Sequence, residues 1–281
     1  MRSVDGDQRQ LRDEGSAAPT SGSSRAPGLG ALAAAFFTGL TLALILTGLG
    51  SLVSRSVALA FLLGEVGFLA GAAFYLAATG RSVRAALRLV RVPGAAYSVA
   101  LQLAVALLFF NLAATIILGP PAQDIEFVTT AEGTLDRVVL VIGVALAAPV
   151  IEEALFRGLL QGVLETRLRY QYAIAVAAMA FGLMHGSAGA LLFFFWSLPV
   201  GWLTWRIGSI LPAVVVHAVN NLIGLLGYLA AGPVDPKAIE YGSGAVPLAV
   251  TILLVAVYWA YRLCVRVDRL EGLRGNPTKQ G

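Results

Sequence analysis

Charge is what this chain lacks most. Only 13% of its 281 residues are Asp, Glu, Lys or Arg, while 58% are hydrophobic. A soluble domain carries about 25% charge. A globule this apolar has too little polar surface to stay dispersed in water, so the scarcity points to a multispanning membrane protein. Cysteine is nearly absent too. The single Cys264 excludes a disulfide framework within the chain and reads as a small residue near the end of an apolar run. Lysine is down to 2 residues against 18 arginines. Those arginines flank apolar runs instead of forming a basic tract. That placement argues against a nucleic-acid partner and makes the net charge of +4 a matter of membrane topology. Histidine occurs only at His185 and His217.

Long apolar runs take the place of the missing charge. About 20 apolar residues cross the hydrocarbon core. Residues 26–54 supply one crossing, and 57–79 a second interrupted only by Glu65. Residues 95–119 give a third, and a fourth begins at Val138. Residues 170–205 contain no charged side chain and read as two short spans broken near His185, Gly186 and Ser187. Residues 207–234 and 245–261 complete the set. The expected fold class is all-α, a polytopic transmembrane helical bundle of about eight spans. A polar tail over residues 1–28 reads as disordered and lacks the layout of a signal peptide. The domain organisation expected is that tail, N-terminal transmembrane helices over 29–137, a core over 138–230, and a last span with a basic end over 231–281.

Loop charges give the orientation. Arg81, Arg84, Arg88, Arg91, Arg167, Arg169, Arg206, Arg262, Arg266, Arg269 and Arg274 fall on one side of this arrangement. Asp124, Glu126, Glu132, Asp136, Asp235, Lys237 and Glu240 fall on the other, where Arg55 and Arg137 are the only arginines. By the positive-inside pattern both termini are cytoplasmic, and the Ala, Gly and Arg-rich composition points to a bacterial cell membrane. Arg81, Arg84 and Arg88 form a basic helical face suited to anionic lipid headgroups. Gly67 and Gly71 suggest close helix packing, and no internal repeat is visible.

The fourth span carries the chemistry. Residues 138–150 make about 20 Å of helix at ~1.5 Å per residue, short of a ~30 Å core. The helix must therefore continue through Glu152, Glu153 and Arg157, drawing two carboxylates into or against hydrocarbon. Glu153 and Arg157 stand at i and i+4, so the arginine is expected to tether Glu153. Glu152, rotated about 100° away, is left to meet another helix. Taken alone, the cluster is equally readable as a salt bridge at a helix end. Each histidine alone is readable as a helix–helix hydrogen-bonding residue. His217 and Asn221 share a helix face at i and i+4. The gathering of all these groups in one half of the chain favours a site. Counted from the membrane edges, Glu152 and His185 come out at different depths, and kinks at Pro149, Gly182, Gly186 and Gly189 would be needed to bring them together.

The ordered motifs Glu152-Glu153-xxx-Arg157, Phe181-xxx-His185 and His217-xxx-Asn221 resemble the CAAX protease and bacteriocin-processing (CPBP, or Abi) family of intramembrane peptidases. The resemblance covers roughly residues 138–230 and leaves residues 1–130 without a recognised motif. It implies an endopeptidase acting on a membrane-associated, CAAX-like protein or peptide. Glu152 and His185 would activate the attacking water, His217 and Asn221 would stabilise the oxyanion, and Glu153 and Arg157 would fix the site. It also implies either zinc held by Glu152, His185 and His217 or a metal-free glutamate mechanism, since the soluble HExxH signature is missing. The alternatives are a catalytically silent membrane scaffold or immunity protein and a proton-coupled transporter. Substrate identity, oligomeric state and physiological process are not legible in the residues.

Overall fold

In hydrocarbon every backbone N–H and C=O must find a partner within its own segment, so uninterrupted apolar runs fold as helices. The computed structural model describes residues 28–54, 56–119, 131, 133–231 and 242–268. The polar tail up to residue 27, Arg55, the loop residues Asp124, Glu126, Glu132, Asp235, Lys237 and Glu240, and Arg269 and Arg274 lie outside the described residues. Among the described residues there is no strand. The helices are α1 (Leu29–Val53), α2 (Val57–Thr79), the single turn α3 (Val83–Ala86), α4 (Gly94–Leu118), α5 (Gly133–Leu164), α6 (Tyr170–Met184), α7 (Gly186–Ile207), α8 (Leu211–Ala231) and α9 (Ala245–Asp268). Seven are long and apolar enough to cross a membrane, and the 15-residue α6 is a shorter apolar helix. The eight expected spans are therefore seven long helices and one short one.

Two glycine contacts set the closest helix approaches. A Cβ on Gly67 of α2 would stand 2.3 Å from the Ala43 backbone nitrogen of α1. A Cβ on Gly182 of α6 would stand 2.3 Å from the Ala190 carbonyl oxygen of α7. The α6–α7 hairpin turns at His185 and at Gly186, whose φ of 81° favours glycine. The break therefore falls where the sequence placed it, and it leaves His185 at the tip.

Helix α5 begins at Gly133, before the expected Val138. Asp136 lies in its first turn and accepts a hydrogen bond from the Ser56 hydroxyl at the start of α2. A carboxylate is favourable at a helix N-terminus. Within α5 the register changes: Gly143–Ala147 and Ala154–Leu160 are π-helical, and the α-helical turn Ala148–Glu153 lies between them. At the other end of the bundle Arg88 pairs with Glu165, and Ser209 donates its hydroxyl to the Val90 carbonyl at 2.7 Å. Tyr170 stacks on Trp205 with ring centroids 3.8 Å apart. These contacts gather the loops after α2, α5 and α7 at one end.

That gathering closes the depth discrepancy. Measured from this shared end, Glu152 lies about 18 Å along α5 and His185 about 22 Å along α6 at ~1.5 Å per residue. The discrepancy arose from measuring Glu152 from the opposite edge of a helix longer than the hydrocarbon is thick. The core of the bundle, including Leu103, Phe156, Leu159, Phe181, Trp196, Val200 and Val216, surrounds this level.

Candidate active site

Helix α5 supplies both glutamates from its central α-helical turn. The Glu153 side chain is fully buried and that of Arg157 is 1% exposed, with Nε of Arg157 standing 3.1 Å from Oε2 of Glu153. Burying an ion pair this deeply is tolerable only when further polar contacts surround it. Arg157 donates Nη2–H to the Ser197 hydroxyl of α7 at 2.8 Å, and its guanidinium carbon lies 4.4 Å from the centre of the Phe181 ring. Glu153 accepts a hydrogen bond from Nδ1 of His217 at 2.9 Å. Arg157, Glu153 and His217 thus form one chain from α7 through α5 to α8.

Glu152 faces both imidazoles. Its Oε2 is 3.9 Å from Nε2 of His185 and 3.9 Å from Nε2 of His217. The hydrogen bonds on the far side of each ring determine what these nitrogens offer. His185 donates Nδ1–H to the Phe181 carbonyl at 2.8 Å, and His217 donates its own to the Glu153 carboxylate. Carbonyl and carboxylate oxygens only accept, so a neutral imidazole in either place carries its lone pair on Nε2. Two nitrogen lone pairs and a carboxylate oxygen therefore converge on one small volume. Aromatic rings wall it: Phe193 stacks on His185 at 4.1 Å, and Trp196 meets the His217 ring edge-on at 5.1 Å.

The donor types match a zinc site, down to the carbonyl and carboxylate that orient the imidazoles. The spacing does not close on an ion as the side chains stand. Tetrahedral ligands at ~2.0–2.1 Å from zinc are roughly 3.3 Å apart, against 3.9 Å here. Among the described residues no group of three or more His, Cys, Asp or Glu side chains is gathered as a metal centre.

Asn221 stands on α8 one turn beyond His217, and its side-chain amide donates to the Val144 carbonyl of the first π-helical turn at 2.9 Å. One of its two N–H groups is thereby committed to α5. Sequence reading missed its neighbour Asn220, which is buried. Asn220 donates to the Val216 and Ala104 carbonyls at 3.0 and 3.2 Å and accepts from Asn111 of α4. Ser197 and Trp196 were also missed. A polar asparagine inside an apolar run is a usable signal, but a serine or tryptophan there is not.

Residues 134–223 match the family model described as "Type II CAAX prenyl endopeptidase Rce1-like". No curated protein and no solved structure matches the chain.

Proposed function

We propose, from the match of residues 134–223 to the CAAX prenyl endopeptidase family model and their place in a bundle of apolar helices, that this protein is an intramembrane endopeptidase in which Glu152 activates the attacking water. The observation carrying the proposal is the position of Glu152 opposite the Nε2 atoms of His185 and His217. A water between these groups gives a proton to Glu152 and is oriented by the His185 lone pair as its oxygen attacks the scissile carbonyl. Negative charge then grows on the carbonyl oxygen. His217, whose Nδ1–H is held by the Glu153 carboxylate, turns its Nε2 edge toward that oxygen and would donate from it in the imidazolium form. The Asn221 N–H not given to Val144 is the second donor. The proton taken by Glu152 passes to the leaving amine as the C–N bond breaks. Glu153 and Arg157 touch no substrate and keep His217 and the α5 backbone in place.

A cavity beside the site supports a substrate carrying a hydrocarbon chain. It has a volume of about 180 Å³ and is lined by Phe36, Phe37, Leu40, Phe68, Leu155, Phe156 and Met184. Leu155 follows Glu152 by three residues and Met184 precedes His185. An apolar chain seated there would bring an attached peptide to the carboxylate. The favoured substrate is therefore a lipid-modified, CAAX-like protein or peptide presented from the bilayer, in a bacterial cell membrane with both termini cytoplasmic.

The convergence of lone pairs favours one second reading, zinc held by Glu152, His185 and His217 after closure by a few tenths of an ångström. Bound there, zinc would supply Lewis-acid polarisation of the scissile carbonyl. The test is cleavage of a quenched-fluorescent peptide library, including lipidated peptides, by detergent-purified protein. Glu152→Gln should abolish turnover with folding intact. Loss of turnover on chelation and recovery with zinc would select the metal reading; indifference to the chelator would select the glutamate mechanism. Undiminished turnover in Glu152→Gln would remove Glu152 from its assigned role and put the chemistry on another residue.

A further inference from the structure

One acidic residue inside the bundle is not used by this reaction. Glu65 lies in α2, a helix otherwise free of charge over Val57–Thr79. It is 5% exposed, and its Oε2 is buried without a hydrogen-bond partner among the described residues. A carboxyl in such surroundings is costly unless something polar meets it.

The helix register shows what it faces. Helices α2 and α5 run side by side in the same direction. Ser56 at the start of α2 bonds to Asp136 at the start of α5. Between one and two turns along, Phe61 lies 3.3 Å from where a Cβ on Gly143 would stand. Further on, Phe68 shares the apolar cavity with Leu155 and Phe156. Residues 61, 65 and 68 occupy one helix face by the i, i+4, i+7 spacing. Glu65 is therefore held between the contacts at Gly143 and at Leu155, opposite the turn that carries Glu152. The two carboxyls interact electrostatically, and Oε2 of Glu152 is likewise buried without a hydrogen-bond partner among the described residues. The other face of α2, with Gly64, Gly67 and Gly71, is taken up by α1. Nothing about packing α2 on α1 requires an acid at position 65.

We infer that Glu65 is a positioning residue of the proposed active site: its carboxyl, sealed between α2 and α5, hydrogen-bonds the Glu152 carboxyl directly or through one water and keeps it turned toward His185 and His217. The inference rests on the reading of Glu152 as the base. It adds a contribution from the N-terminal half of the chain, outside the stretch matched by the family model.

Four proteins test it on the quenched peptide library: wild type, Glu65→Leu, Glu65→Gln and Glu152→Gln. Glu65→Leu should lower kcat about 10- to 100-fold with KM within about 2-fold, the scale on which misplaced catalytic groups cost rate. Glu65→Gln, which keeps the length and a hydrogen-bond donor, should stay within about 3-fold of wild type. Wild-type turnover in Glu65→Leu beside an inactive Glu152→Gln would overturn the role of Glu65 alone. Equal loss in the Leu and Gln variants would also overturn it. Wild-type turnover in Glu152→Gln would overturn the underlying reading, and this inference with it. A measurement that needs no substrate runs alongside. Melting temperatures of Glu65→Leu, Glu152→Leu and the double variant in detergent should be non-additive if the side chains couple. Strictly additive shifts would overturn the inference.

Discussion

Removing the Arg157 guanidinium would strand the Glu153 carboxylate among apolar walls. The pair is sealed from solvent, and Ser197 and the Phe181 ring already occupy the other faces of the guanidinium. Arg157→Ala should therefore lower stability by about 3–5 kcal/mol, the usual cost of leaving a buried charge uncompensated, read as a large fall in melting temperature in detergent. Arg157→Lys should recover little of it, because a point ammonium cannot reach Glu153 and Ser197 together while stacking on a ring. A lysine variant with wild-type melting would show the pair to be simple charge balance. At this scale much was legible in the sequence. The Glu153–Arg157 pair followed from its spacing, and the two histidines stood out because the chain has no others. Ser197 was not legible, since a serine in an apolar run has no periodic signature and its partner is chosen by how α7 packs on α5. Asn220 went unread because the spacing from His217 drew attention to Asn221, whose amide is partly spent on the Val144 carbonyl.

At the scale of the element, the α6–α7 hairpin depends on the absence of a side chain at residue 182. A valine there would drive its Cβ into the Ala190 carbonyl of the facing helix, prising apart the hairpin that holds His185 at its tip. Gly182→Val should therefore lower kcat at least about 10-fold, the order expected when a reacting group moves by about 1 Å, together with a fall in melting temperature. Gly224→Ala in α8, where an added Cβ meets nothing within 4 Å, is the matched control and should leave both unchanged or raise stability slightly. A Gly182→Val protein with wild-type turnover would dissociate the hairpin from the chemistry. The break at His185 was visible as a glycine-flanked interruption in an apolar run. The π-helical turns of α5 were not, because a uniformly apolar helix has no contrasting face to reveal whether its bonds run i→i+4 or i→i+5.

At the scale of the whole molecule, the loops after α2, α5 and α7 share one end of the bundle, bringing Arg88, Arg167, Arg169 and Arg206 to the same side. If that side is cytoplasmic, single cysteines replacing Arg81 or Arg167 in a Cys264→Ser background should react with a membrane-impermeant thiol reagent only in inside-out vesicles. Labelling in intact cells would reverse the topology. The helical bundle was readable because crossing the bilayer demands long apolar segments. The depth of the site was not, because α5 outruns the bilayer and distance from one edge cannot be converted to distance from the other. The same helix has a further property. Each π-helical turn stores one residue beyond the α repeat, a slack link that adds chain without turning the two ends of the helix apart. Deleting Ala154 would let the second stretch wind as an ordinary α-helix, with Glu153 and Arg157 at i and i+3 and still on one face. One lost codon would thus take up the slack while leaving every polar side chain named in the site in the chain.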